Sequence, residues 1–596
     1  MKEKNSKLPA WNLKELYNSI DDPKIEKDLA KYKKLTEDFT KKYKGKLGSL
    51  NAKEFYEALK KYEEKSSLAR LLYNFGSLNK STQQKNQKAT AFAQNLGEKL
   101  KQYGMPSIFF TLELNSLPQK KIDTLLKDKS VAKYAPYIKS VRKFKDYQLS
   151  EEVEEILSQK SITSTSAWVR LYSENASRLE FTVRGKKYSD AEIGKLTLDK
   201  NAELRKEAGV ESYRVRKENG KLSTYIYNMI MKDKAIEDEK RGFKTPASEM
   251  NLYNRVDDKV TDTLAATVKD SYKSIAHRFY KLKAKWMGLK KLENWDRNAP
   301  LPFENDKDVT WDEAVKTVLD AYKRFSPKLH KVAKDFFDNP WIDVPPRDGK
   351  RGGAFAAPVS TTLHPFLFLN FTGKQTDVLT LAHELGHGCH MQLAKVQGEL
   401  NEDTPLVLAE VASVFGEMIT FRSLLDKTKD DKQKLAMIAS KVNDMINTSH
   451  RQISYHFFET RAHNERKQGE VSEERLCEIW NEEVKQNLGP SVNINKYNSY
   501  GWSGIPHLYH TPFYVYAYSF ADCLVNSLYG VYTEGKVKDF EDKYLHMLSE
   551  TGIKKYDELL KPFGLDANKK DFWNKGLKVI SDYIDELEKL DKKLKL

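Results

Sequence analysis

The sequence predicts a mainly α-helical protein, and three features carry that expectation. Apolar residues recur at helical spacing over most of the 596 residues. Strand-like runs are confined to two short places, one around Arg184-Gly185 and one from Pro365 to Phe371. No fixed-period repeat and no Pro-rich or Gly/Ser-rich linker breaks the pattern.

Taken in order, residues 11 to 160 read as successive amphipathic helices, including "AKEFYEALKKYEEKSSLARLLYNF" and the acid-led "SEEVEEILSQK". In "SRLEFTVRGKKYSDAEIGKL", β-branched and aromatic residues flank Arg184-Gly185, as in a tight hairpin. Helices resume at "NAELRKEAGVESYRVRKE", so a domain boundary is set near residue 200, with a helical lobe over 1–200 and a second domain over 201–596. Between 345 and 375, Pro, Gly and small residues surround the apolar run "PFLFLNF", which reads as a loop and then a short strand. A helix follows, with Thr376 as its cap and Asp377 in its first turn.

Composition excludes several classes. An apolar content of 39% supports a large core. The opening "MKEKNSKLPAWNLKELY" has no signal-peptide core, and no apolar run reaches membrane-spanning length. The three cysteines, Cys389, Cys477 and Cys523, form neither a disulfide framework nor a CxxC pair, which points to a reducing cytoplasm. A formal charge of +16 raises nucleic-acid binding, but 101 basic residues stand against 85 acidic ones and alternate with them along solvated helix faces. The expectation is therefore neither a nucleic-acid nor a membrane partner, with the oligomeric state left open.

The helix after the strand contains "TLAHELGHGCHMQLA". Residues four apart share a helix face, so His383 and His387 can present their imidazoles to one point, and that point suits Zn²⁺. Glu384 starts about 100° round the helix from His383, where it reaches a water at the metal without joining the ligands. A catalytic zinc takes three protein ligands and keeps one position open. The next helix, "EDTPLVLAEVASVFGEMITFRSLL", with Thr404 as cap and Pro405 in its first turn, carries Glu410 among Leu408, Ala409, Val411 and Ala412. A carboxylate there must be paired, either by metal ligation or by a structural ion pair, and the upstream helix favours ligation. Glu417, on the same face, can accept a hydrogen bond from a ring N–H.

"HELGH" followed by the glutamate of "LAEVASVFGE" resembles the thimet-oligopeptidase family of zinc peptidases, in particular its oligoendopeptidase F branch. "WNLKELY", "LSEEVEEIL", "RGGAF" and "IPHLYHTPFYVYAY" resemble that family's landmarks in the same order, so the similarity covers nearly the whole chain. It implies a two-lobed helical zincin-type peptidase with a deep channel, one Zn²⁺ per chain at its floor and a small sheet beside the zinc helix. Short unfolded oligopeptides are the implied substrates. Carried over, His383, His387 and Glu410 are the ligands and Glu384 the general base. "HGCH" departs from the family, where Ser or Ala is commoner than Gly after the motif. Cys389 as a fourth ligand would close the site, and His390 is read as a packing histidine.

The developing oxyanion needs donors, and "YGWSGIPHLYHTPFYVYAYSF" offers them. The resemblance implies that a histidine and tyrosines of this segment bind the substrate carbonyl. His507 and Tyr516 are assigned to the oxyanion and Tyr509 and Tyr514 to substrate binding, with His510 and Tyr514 as alternates. The "PFLFLNF" strand is expected to pair an extended peptide at its edge, and Gly352 and Gly353 to let the preceding loop come close. His450, His456 and His463 lack a carboxylate or Cys at ligand spacing and are read as core or channel lining. A scaffold with a structural zinc stays open as an alternative, but it would have no use for Glu384.

Overall fold

A computed structural model describes residues 8–303 and 308–596. Met1–Lys7, where the opening segment begins, lie outside them. About 70% of the chain is helical. Side chains that close the first turn start many of these helices. Asp22 accepts from Lys24 N at 2.9 Å ahead of a helix that opens with Pro23. Asn51 and Glu54 exchange bonds of 3.0 and 2.9 Å at the head of Ala52–Thr82. No helix of the described residues is long and apolar enough to cross a membrane.

The chain forms two compact units, each assembled from three stretches. The first gathers Met1–Gln148, Asp306–Leu424 and Val537–Pro562. In it the helices Pro23–Tyr43, Ala52–Thr82 and Gln87–Gly104 pack side by side. Leu29, Leu72 and Phe75 from these helices meet Phe366 in one apolar cluster, which ties the N-terminal helices to a small sheet. That sheet has three strands, with Phe366–Phe368 in the middle. It runs parallel to Ile342–Asp343 on one side and antiparallel to Phe355–Ala357 on the other. The expected strand is thus present but shorter, and both its edges are taken. An added peptide strand cannot pair with it; backbone bonds from Val344 N to Pro9 O at 3.0 Å and from Asn12 N to Pro340 O at 2.9 Å flank Ile342–Asp343, so among the described residues the free edge belongs to Phe355–Ala357. The helix Gln375–Ala394 packs on this sheet and on the helices Trp311–Phe325, Pro327–Asp338 and Phe540–Glu550.

The second unit gathers Leu149–Asn305, Leu425–Lys536 and Phe563–Leu596. The expected hairpin is here, pairing Phe181–Val183 with Lys186–Tyr188. Arg184 and Gly185 both take positive φ, 51° and 75°, which gives the turn the twist its strands require. The long helices Tyr516–Glu534 and Lys570–Leu594 run along each other at its centre, joined by Ser527 donating to the Phe572 carbonyl at 2.8 Å.

Candidate metal centre

The motif helix Gln375–Ala394 begins slightly earlier than its sequence suggests. Asp377 reaches back to accept from Thr372 N at 2.6 Å and Lys374 N at 3.1 Å, so Lys374 is the capping position and Thr376 already lies inside the helix. Val378, Leu381, Ala382, Leu385 and Cys389 are buried along it. The neighbouring helix is interrupted at Glu410, which caps Leu406–Ala409 before Val411–Lys427 begins, and Pro405 rather than Thr404 precedes that first turn.

These elements bring the donors to one point. Nε2 of His383 and Nε2 of His387 each lie 3.2 Å from Oε2 of Glu410, and donor atoms of the three residues all fall within 4.8 Å of one another. The two rings are 5.0 Å apart and tilted by 79°, aimed inward rather than stacked. Glu417 Oε2 stands 3.3 Å from Nδ1 of His383, on the far side of that ring. Ser413 Oγ donates to Glu410 Oε2 at 2.8 Å and holds the carboxylate in place.

The electrostatics fit a cation. Burial alone would push the His383 imidazole down, but hydrogen bonds and charge from Glu410 and Glu417 outweigh it and raise it to about 10. Burial likewise opposes ionisation of Glu410, yet the two imidazoles hold its carboxyl well below the ordinary range. The pocket therefore demands positive charge, and two imidazole nitrogens with one carboxylate oxygen are a zinc-type donor set. Glu384 is 6% exposed, and its Oε2 is shielded with no hydrogen-bond partner among the described residues. Burial pushes its carboxyl up, against the pull of His383 and His387.

The residues just after the motif follow from packing. A Cβ on Gly388 would lie 2.8 Å from the ring of Phe336, which leaves no room for Ser or Ala. Cys389 is fully buried and stands outside the donor cluster. His390 meets Thr551 Oγ1 at 2.7 Å, as a packing histidine does.

The Tyr/His segment belongs to the second unit. His507, Tyr514 and Tyr518 form a part-buried trio there, with His507 Nε2 3.2 Å from the Tyr518 hydroxyl and the His507 ring stacked 5.5 Å from Tyr514. His510 Nε2 lies 2.9 Å from Ser173 Oγ. Tyr509 is wholly buried, stacked on Tyr172 at 3.8 Å. Tyr516 is wholly buried too, and its hydroxyl accepts from Asn254 Nδ2 at 2.9 Å, so neither side chain presents its hydroxyl to a substrate. Tyr518 is the partner the sequence reading left unassigned.

The cause lies one turn earlier. Phe513 takes φ of +63°, an uncommon conformation for a bulky residue, and its N–H donates to the buried Glu459 at 2.8 Å. His456 and His463 pack on the same Phe513 ring at 6.0 and 4.8 Å, which accounts for them as core. Gly352 and Gly353 are exposed, and Gly353 has φ of +81°. Asn370 Nδ2 donates to the Gly353 carbonyl at 2.8 Å and anchors this loop just before the free-edge strand.

A mainly helical chain with this donor cluster is of the metallopeptidase class, and comparison with known proteins agrees. The profile described as peptidase family M3 matches residues 195–579, and one described as oligopeptidase F matches 113–181. The chain is 25% identical over 600 residues to oligopeptidase PepF of Bacillus subtilis, across 98% of this chain and 88% of that one. An oligoendopeptidase F homolog of Borreliella burgdorferi is 27% identical over 583 residues, covering 95% and 94%. The crystal structure of oligoendopeptidase-F from Enterococcus faecium shares the fold at a TM-score of 0.74 and 20% identity, covering 95% and 98%. The protein belongs to peptidase family M3. It is a metallo-endopeptidase that hydrolyses peptides.

Proposed function

We propose that this metallo-endopeptidase is zinc-dependent and cleaves short unfolded oligopeptides, with His383, His387 and Glu410 holding one zinc per chain and Glu384 as general base. The convergence of the three donors carries this reading, together with the buried Glu384 oxygen that has no partner beside them. Bound zinc supplies Lewis acidity, polarising the scissile carbonyl and making a water acidic enough to attack near neutral pH. Glu384 takes a proton from the attacking water as its oxygen bonds to the carbonyl carbon, and delivers it to the amine nitrogen as the C–N bond breaks. Burial of Glu384 makes it a stronger base than an exposed glutamate. Glu417 holds His383 in the tautomer whose Nε2 faces Glu410.

For the oxyanion and substrate contacts we assign His507, Tyr514 and Tyr518 in place of Tyr509 and Tyr516, because the trio is part-buried whereas Tyr509 and Tyr516 are wholly buried. The backbone of a bound peptide pairs with the free edge of Phe355–Ala357, beside the Gly352-Gly353 loop. We read 201–596 as the catalytic portion of the sequence, supported by a family match that starts at 195, while the helical lobe expected over 1–200 is divided after Gln148 between the two units. Three free, buried cysteines support a cytoplasmic setting.

Glu384→Gln is the decisive test. It is nearly isosteric, so zinc content should match wild type while peptide hydrolysis falls by about 10² to 10⁴. A zinc-replete variant cleaving at near wild-type rate sinks the mechanism. For substrate size, a quenched peptide library should be cut, with chelator abolishing cleavage, while a stably folded protein survives. Efficient digestion of that protein contradicts the size limit.

A further inference from the structure

Two arginines of the second unit line one cavity with no carboxylate to face. Arg297 and Arg451 contribute to the wall of a space of about 160 Å³, along with Asn294, Ser454, Tyr455 and Asn498. No Asp or Glu lines it, and among the described residues neither guanidinium is paired with an acid. Arg451 Nε donates to the Tyr455 hydroxyl. Arg297 Nε is shielded from solvent and has no acceptor. A second space of about 190 Å³ shares Arg297, Asn294 and Asn498, and it too is free of carboxylates in its wall.

Arg205, which is buried, and Arg241, which is part-buried, face acids instead. Arg205 meets Asp296 at 2.8 Å and Arg241 meets Glu154 at 2.7 Å. A guanidinium withdrawn from water beside a second one is costly unless negative charge joins it. Burial first, and then the Arg451 charge, pull the Arg297 guanidinium below its ordinary value, against Tyr280 and a hydrogen bond to Tyr455.

We propose that Arg297 and Arg451 form a binding site for a small oxyanion of phosphate size. A planar guanidinium fork matches a pair of oxygens better than a spherical halide. The space is several times the share of one water, about 30 Å³, yet below the roughly 300 Å³ at which drug-sized ligand pockets begin. Asn294, whose side-chain oxygen is buried without a donor, offers its NH₂ to the ligand once the amide is turned over.

The test is calorimetric titration of the full-length, zinc-loaded protein with inorganic phosphate, against sodium chloride at matched ionic strength. Wild type should bind phosphate, and Arg297→Met and Arg451→Met should each weaken it by about 10- to 100-fold, the loss of a charge-assisted bond. Absence of binding at millimolar phosphate overturns the proposal. So does binding that both variants retain, or an equal response to chloride. A melting series keeps the question open to refutation if one variant folds poorly. Phosphate should raise the Tm of wild type and not that of the surviving variant, and without phosphate Arg297→Met should melt no lower than wild type, because it removes an uncompensated charge. Equal phosphate-induced shifts in wild type and variant overturn the site.

Discussion

Glu410 and Glu417 stand two turns apart and do different work. Glu410 places one oxygen 3.2 Å from both imidazoles, whereas Glu417 touches only the far nitrogen of His383. Glu410→Ala should therefore abolish stoichiometric zinc, and Glu417→Ala should weaken zinc affinity or activity by roughly 10- to 100-fold. Metal analysis and chelator competition on the two variants decide it, and a tighter requirement for Glu417 would reverse the assignment. Glu459 makes a separate, pH-dependent contribution. Burial raises its carboxyl to about 8, so the folded state holds a proton that the unfolded chain has already released above the usual carboxylate range. The stability this group contributes is complete below the ordinary glutamate value of 4.5 and is lost as pH rises from there through about 8. Glu459→Gln should flatten that stretch of the stability profile in denaturant titrations across pH 5 to 9, and an unchanged slope would contradict the burial argument. At this scale the two histidines of the candidate metal site were legible because four-residue spacing on one helix is local geometry. The choice of Tyr518 over Tyr516 was not, since it depends on Phe513 turning to positive φ against a glutamate remote in sequence.

The candidate metal donors from the two neighbouring stretches meet because the backbones come close, and Gly386 is where they do. A Cβ there would sit 2.5 Å from the Ala412 carbonyl and 2.6 Å from Ser413 Cα, backbone atoms that cannot swing aside. Ser413 also holds the Glu410 carboxylate, so widening the gap shifts the third ligand together with its support. Gly386→Ala should cost about 1–3 kcal/mol by overpacking, even though Ala favours a helix, and should lower zinc affinity as well. Thermal unfolding with and without zinc measures both effects, and a variant as stable and as zinc-tight as wild type would show that the helices can slide. The helices themselves were readable from their period, though Lys374 and Pro405 rather than Thr376 and Thr404 hold the cap positions, and the hairpin from Arg184-Gly185. Strand order was not readable. Strands of two or three residues carry no periodicity, and their pairing is decided by partners such as Ile342 and Leu367 from separate stretches of chain.

At the scale of the molecule, the first unit is completed by a stretch that returns to it late. Val537–Pro562 reaches the helices Gln375–Ala394 and Val411–Lys427 of that unit. Tyr544 donates to the Val411 carbonyl at 3.1 Å and packs 4.5 Å from Phe415 and 5.5 Å from Phe325. Thr551 partners His390 and, at 3.0 Å, Thr404. Nothing in the sequence of this stretch announces that role, since its helical period shows only that one face is apolar and not what covers it. Phe540, Tyr544, Met547 and Leu548 are all buried, and at about 1.5–3 kcal/mol for each large side chain their combined loss rivals the roughly 5–15 kcal/mol that holds a whole domain. A chain with 537–562 replaced by a flexible linker should therefore lose stoichiometric zinc and unfold at lower temperature, although it keeps every proposed ligand. Tyr544→Phe is the fine control. It removes one hydrogen bond, worth about 1 kcal/mol, and should keep its zinc with a slightly lower Tm. Metal content and melting of the two variants decide the matter, and a linker variant that holds one zinc per chain would mean that the ligand helices are self-sufficient.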